Sequence, residues 1–264
     1  MQTVAAQKSE TITDQENFAL GASYQQLFRV IDDLKTVVHQ RNEAQNEVAE
    51  GYFETMYLLA LAADYRTGRN ESRLLRIGST AGILARASGQ STDYCLQIRR
   101  AAPLHDIGMV AIPDVVLRKK SDLTADEWGM LKTHTDIGAR MLGAVSTPVL
   151  QMAAEIALMH HENFQGKGYP AGRVAGDIPL SARIVALAEY FESCSDEFTQ
   201  QRGILPPGVV LASIRERSGT RFDPDLVDLF FVHLQSICDA RKEIEFNADS
   251  LQALVSTIRP LMTN

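Results

Sequence analysis

Cysteine is scarce in this 264-residue chain: Cys95, Cys194 and Cys238 are an odd number at wide spacing, and no CxxC pair occurs. A disulfide framework and a zinc knuckle are therefore not indicated, and all three read as buried thiols. Basic runs are short as well. The longest, Arg118 to Lys120, has three residues, and the formal charge is −7 with a pI near 5.4. That balance disfavours tracking of a phosphate backbone, so no nucleic-acid partner is expected. The longest uninterrupted apolar stretch, Met56 to Ala63, is less than half of a membrane span, and the opening MQTVAAQKSE lacks a hydrophobic signal region. No membrane contact and a cytoplasmic location are expected. Internal repeats and low-complexity tracts are missing too, and residues 1–50 leave no room for a receiver, PAS or other sensor domain.

What remains is globular in composition, with 45% apolar and 22% charged residues, enough to bury a core. At roughly 100–200 residues per domain, the length suits one large domain with an appendage, or two small domains. Helical periodicity dominates and few stretches alternate with period two, so the fold is predicted to be all-α. Residues 1–15 are polar and expected to be disordered. A long helix follows over 16–51, in which Leu20, Tyr24, Leu27, Ile31, Leu34, Val38, Arg41, Gln45, Val48 and Tyr52 repeat at 4-3 spacing. This is a heptad seam with coiled-coil character. It suits either dimerisation with a second helix or packing on its own domain.

From residue 52 to 264 the helical stripes become denser. Helices are predicted at 52–64, 72–87, 93–102, 121–130, 133–143, 148–161, 180–194, 207–217, 224–241 and 248–258. Prolines 113, 148, 170, 179, 206, 207 and 224 fall between these segments or at their starts, where a missing N–H does least harm.

Four of the six histidines lie between 105 and 161, beside apolar helices, whereas His39 and His233 look incidental. His105 and Asp106 follow the apolar run ending at Ala102; buried there, they must be paired or bound to metal. One buried histidine is more often satisfied by a hydrogen bond. Four of them with a carboxylate at helix ends point instead to a transition-metal site, and the absence of thiolates argues against structural zinc. Iron, manganese, zinc or nickel would suit such a set. A carboxylate able to bridge cations puts phosphoester hydrolysis first among the reactions to consider.

The order of motifs then resembles a known family. His105-Asp106-Ile107-Gly108 followed by Ile112-Pro113-Asp114, His134-x-x-x-Gly138, His160-His161-Glu162 and Gly166-Lys167-Gly168-Tyr169-Pro170 is similar to the HD-GYP subgroup of the HD phosphohydrolases. Ile178 to Ile184 and Phe222-Asp223-Pro224-Asp225 fit the same pattern. The resemblance runs from about Tyr52 to about Leu234. It implies an all-helical HD-superfamily bundle with a metal centre in its core, hydrolysing cyclic di-GMP. It makes His105, Asp106, His134, His160 and His161 metal ligands, with Asp106 the bridge, and places catalysis at Asp106 and His105. Lys167, Gly168, Tyr169, Pro170 and Arg202 become substrate contacts. Arg183 becomes either a further substrate contact or a structural ion-pair partner.

Departures from the pattern fall on one of the two metal positions and on the substrate side. The family carries a histidine ligand in a T-G-x-H-x-x-R stretch, but counting back from Arg76 puts Arg73 at that position, and a guanidinium has no lone pair to give a metal. Glu189 stands where an aspartate is usual, as a ligand with a longer arm. Met109 replaces a lysine, Gln165 replaces an acid, and the basic segment after the last ligand is here Asp196 to Arg202. One metal per chain is therefore expected, or two if Glu189 and some other ligand, such as Glu71, complete the second set. Phosphodiesterase activity is expected to be weak or lost. The alternative is an inactive signalling module that binds a nucleotide or a protein partner, with the heptad helix making a homodimer.

Overall fold

The computed structural model describes the backbone of residues 2–67, 72–195 and 207–247, and every regular element there is helical. The chain divides into two units between Tyr52 and Phe53. The first is the part of helix α1 (Gln2–Tyr65) that ends at Tyr52. The helix starts at Gln2, although a disordered start was expected over residues 1–15. No proline precedes Pro103, so nothing in this stretch forces the helix to stop. Within the seam, Ile31, Leu34, Val38, Arg41, Gln45, Val48 and Tyr52 are exposed; the side chains of Leu20, Tyr24 and Leu27 lie outside those described.

In the second unit, the end of α1 buries Phe53, Tyr57, Ala60 and Leu61, the i, i+4, i+7, i+8 stripe of a core-facing helix. Next comes α2 (Arg73–Ala87), buried without a break from Arg73 to Ala81. A helical stretch buried on every side belongs at the centre of a bundle, and α2 reaches solvent only in its last turns. Around it stand α3 (Thr92–Ala101), α4 (Asp114–Leu117), α5 (Ala125–Lys132), α6 (His134–Gly143), α7 (Pro148–Met159), α8 (Leu180–Ser195), α9 (Pro207–Glu216), α10 (Pro224–Val232) and α11 (Leu234–Asn247). Helices α3, α8, α10 and α11 pack directly on α2. Gly78 makes the α3 contact possible, because a Cβ there would stand 2.6 Å from the Arg99 carbonyl oxygen.

Local chemistry starts these helices where the sequence suggests. Ser91, Thr147 and Asp223 accept backbone N–H groups at the starts of α3, α7 and α10, and Thr124 with Glu127 forms a reciprocal capping box on α5. Several boundaries differ from the reading of the sequence: the helices expected over 16–51 and 52–64 are one, and that expected over 121–130 runs from Ala125 to Lys132. The helix expected over 224–241 breaks at His233, whose φ of −101° and ψ of 11° leave the helical region and separate α10 from α11. The helix expected over 148–161 ends at Met159, which leaves His160 and His161 in the turn beyond it. Short 3-10 turns at Ala102–Leu104 and Ile107–Ala111 carry the chain around His105 and Asp106. The helix expected over 248–258 lies outside the described residues. No helix among the described residues is long and apolar enough to cross a membrane.

Candidate metal centre

Asp106 sits between two 3-10 turns and is buried with three imidazoles around its carboxylate. His105 Nε2 lies 3.3 Å from Oδ2, and His134 Nε2 and His160 Nε2 lie 3.3 and 3.5 Å from Oδ1. Each ring is oriented by its other nitrogen. Nδ1 of His105 meets the Ala102 carbonyl at 2.9 Å, Nδ1 of His134 meets that of Leu131 at 2.7 Å, and Nδ1 of His160 meets those of Ile156 and Ala157 at 3.0 and 3.1 Å. A carbonyl can only accept, so Nδ1 carries the hydrogen and Nε2 is the lone-pair atom turned to the centre. All three Nε2 atoms are buried, and none makes a hydrogen bond among the described residues. Buried polar atoms left in this state are rare and want a partner. A cation is the partner that suits three converging lone pairs and a carboxylate.

The last turn of α7 delivers His160 and, next to it, His161. Ligand atoms of Asp106, His134, His160 and His161 all lie within 4.8 Å of one another, a set that could hold a metal ion. Burial and then the neighbouring His160 hold the His161 imidazole well below its ordinary value. For Asp106, burial works to raise the carboxyl, but His105, His134 and His160 outweigh it and keep it well below the carboxylate range. His134 shows the reciprocal effect: burial pushes it down, and Asp106 more than compensates. The site attracts positive charge. Close packing keeps it in register, since a Cβ on Gly108 would stand 2.0 Å from the His134 carbonyl oxygen.

A second set, His105, Asp106 and Glu189, also lies within 4.8 Å. Here the expected departure has a definite geometry. Arg73, the first residue of α2, is 0% exposed, with its guanidinium 3.4 Å from Glu189 Oε1, 3.4 Å from Asp64 Oδ1 and 2.9 Å from the Ser193 hydroxyl. Glu189 is brought down to about 2: burial opposes its charge, while His161, His105 and Arg73 favour it. A fixed guanidinium thus already balances the carboxylate that would complete a second metal site.

Beyond His161 the chain forms the Gly-Tyr-Pro loop. Glu162, buried, accepts the backbone N–H groups of Ala171 and Arg173 at 2.7 and 3.1 Å and so ties the loop to the end of α7. Gly168 is forced: a Cβ there would stand 2.3–2.5 Å from the backbone of residues 161–163. Tyr169 stacks on the His161 ring, centroids 4.7 Å apart. Between them and α5 opens a cleft of about 620 Å³, whose lining includes Trp128, Lys132, Lys167 and Arg221. Three cations beside the imidazole cluster make it suited to phosphate groups.

Comparison with known proteins agrees with this geometry. The HD domain model matches residues 55–226, well over half of the chain. The chain belongs to the HD domain family. It is 39% identical over 198 residues, 74% of its length, to the cyclic di-GMP phosphodiesterase response regulator RpfG of Xanthomonas campestris pv. campestris. It is 37% identical over 196 residues, 73% of its length, to a cyclic di-GMP phosphodiesterase of Thermotoga maritima. It spans 52% of each of those two proteins. A solved cyclic GMP-AMP specific phosphodiesterase of V. cholerae shares the fold, with a TM-score of 0.54 and 19% identity over 80% of this chain and 60% of that one.

In this HD domain, the six expected ligand residues come together, as do Lys167, Gly168 and Tyr169 beside them. Pro170, exposed, is not among the residues lining the cleft. Arg183, read as a substrate contact or an ion-pair partner, makes the ion pair, with Asp223, and donates to the Ile178 carbonyl at 2.9 Å. Arg202 and the Asp196 to Arg202 segment lie outside the described residues, as does Glu71. Met109 packs with Ile112 and Val116 in a small apolar cluster. Several contributors were given no role by the sequence reading: Asp64 on Arg73, Glu162 under the loop, and Trp128, Lys132 and Arg221 in the cleft. Arg66 is another, reaching the carbonyls of Met109, Val110 and Ile112 at 2.6–2.9 Å and so clamping the segment after Asp106. Only Glu162 had a local signal, an acid next to two histidines.

Proposed function

We propose that this HD domain is a metal-dependent phosphohydrolase of cyclic di-GMP or a related cyclic dinucleotide, acting in the cytoplasm with one transition-metal ion per chain. Asp106, His134, His160 and His161 hold that ion. The observation that carries the reading is the convergence of three buried, unpartnered Nε2 atoms on one carboxylate, each ring fixed by a carbonyl at Nδ1. When bound, such an ion supplies Lewis-acid polarisation of a phosphoryl oxygen and acidifies water.

The chain's own residues do the rest. Lys132, Lys167 and Arg221 bind the phosphates in the cleft. Burial first, then Asp106, pushes the Tyr169 phenol above its ordinary value, so it stays protonated and can donate to a phosphate oxygen. His105, anchored on Ala102, orients Asp106 from the side away from His134 and His160, which meet the other carboxylate oxygen. Arg73 supplies positive charge beside Glu189 in place of a second cation.

A guanidinium neutralises charge but cannot activate water, so turnover is reduced. Losing one cation's share of transition-state stabilisation, about 3–4 kcal/mol, costs on the order of two to three powers of ten in rate. The buried Arg73 also favours a second reading, a non-catalytic module that binds the nucleotide or a protein partner. The exposed seam of α1 supports homodimerisation. Elemental analysis of protein purified without chelator, combined with a cyclic di-GMP turnover assay, tests both readings. One metal with slow hydrolysis supports the enzyme, one metal with nucleotide binding and no hydrolysis supports the module, and no metal defeats the proposed centre.

A further inference from the structure

The C-terminal half of α2 borders a second cleft, of about 460 Å³, that shares no residue with the metal centre. Ser79 and Arg86 come from α2, Arg99 from α3 and His233 from the break between α10 and α11, while Ile83 and Leu96 give it apolar walls. At 1.5 Å per residue along a helix, Arg86 stands ~20 Å along the axis from Arg73.

Three of its polar groups lack a hydrogen-bond partner among the described residues. Arg86 and Arg99 make no side-chain hydrogen bond and no ion pair among the described residues. They nevertheless lie close enough to act on each other: burial first, and then the Arg86 charge, lowers Arg99 from its ordinary value, with Glu243 of α11 opposing from beyond ion-pair contact. Ser79 is 4% exposed, and its hydroxyl has no hydrogen-bond partner among the described residues. Two like charges and a buried hydroxyl without a hydrogen bond, gathered around one cavity, suit an anion between them. The Arg99 stem runs past Gly82, where an added Cβ would meet it at 3.7 Å, an ordinary contact distance. The volume lies in the range of small-molecule sites, well above what a bare phosphate needs.

We propose that this cleft binds a nucleotide-sized phosphomonoester, its phosphate between Arg86 and Arg99 with the Ser79 hydroxyl, and its organic part against Ile83 and Leu96. His233 stands at the rim, where a ring nitrogen can donate to the same phosphate.

The test is calorimetric titration of the full chain with GMP, guanosine and inorganic phosphate. GMP is expected to bind, guanosine to give no heat at the same concentrations, and inorganic phosphate to bind at least about tenfold more weakly. Arg86→Gln and Arg99→Gln should each weaken GMP at least about tenfold, and His160→Ala should leave its affinity unchanged. Arg86 is exposed, so its substitution does not disturb the core; a thermal melt checks the half-buried Arg99 variant. GMP affinity unaltered by Arg86→Gln, or lost only in His160→Ala, would overturn the proposal by assigning the nucleotide elsewhere. Equal binding of inorganic phosphate and GMP would overturn it too, by removing any role for the apolar walls.

Discussion

The guanidinium of Arg73 stands 3.4 Å from the Oε1 of Glu189, both buried and 116 residues apart in the chain. One residue begins the central helix and the other lies in the middle of α8, so the pair joins two core elements as it fills the second metal set. A histidine in that place would offer a lone pair. The arginine offers a permanent charge and closes the position to a cation by repulsion.

Replacing Arg73 should therefore change stoichiometry. Arg73→His together with Glu189→Asp is expected to raise metal content from one towards two per chain, read by elemental analysis. Arg73→Ala is expected to leave content at one and to lower stability by about 3 kcal/mol, since it strands buried carboxylate charge. Unchanged stoichiometry in the double variant, with the fold intact, would show that Arg73 does not exclude the second ion.

Metal removal should be visible as lost stability. A ligand present at a hundred times its Kd stabilises by about 2.7 kcal/mol, which in a domain of this size is roughly 5–10 °C of Tm. Chelation is expected to lower the melting temperature of the wild type by about that amount. His160→Ala, lacking a buried ligand, should melt at the same temperature with and without chelator.

Two glycines should separate the metal centre from the loop. Gly108→Ala puts a Cβ 2.0 Å from the His134 carbonyl oxygen, so α6 must move and carry His134 with it; metal content should fall and stability drop by about 3 kcal/mol. Gly168→Ala pushes the loop away from residues 161–163 instead. It should weaken cyclic di-GMP binding while Asp106, His134 and His160 keep the metal. Equal metal content in both variants would contradict this division.

These residues also show what the sequence could and could not reveal. His105 to Gly108, His134, and His160 with His161 were legible as short ordered strings, because the candidate ligands sit at helix ends where a few neighbouring positions fix geometry. Arg73 was legible as a departure, yet only burial distinguishes its ion pairs from an ordinary surface arginine. Asp64, Arg66 and Arg221 act across element boundaries. Each reads as a solvated charge in its own segment, and its role exists only once α1, α2 and the turn before α10 are assembled. The bundle itself followed from periodicity, whereas the break at His233 has no local signal, since the segment contains no proline or glycine between Pro224 and Asn247.

The seam of α1 should join two chains. Leu34 and Val38 are 58% and 47% exposed and lie four residues apart on the same stripe as Ile31, with Val30 and Val37 widening it. An apolar stripe of this kind is stable in water when a second helix covers it, each side chain contributing about 1.5–3 kcal/mol on full burial. Leu34→Glu with Val38→Glu removes two such contributions and places like charges opposite each other across a parallel pair. At 1.4 kcal/mol per decade, the loss of about 3 kcal/mol or more raises the dimer Kd by at least about a hundredfold. Sedimentation of the full chain is expected to give a dimer for the wild type and a monomer for the variant, with metal content identical in the two. Both substitutions lie before Tyr52, outside the unit that carries the metal centre, so misfolding of that centre cannot account for the change. A wild-type chain that sediments as a monomer, or a variant that stays dimeric, would remove the seam as an interface.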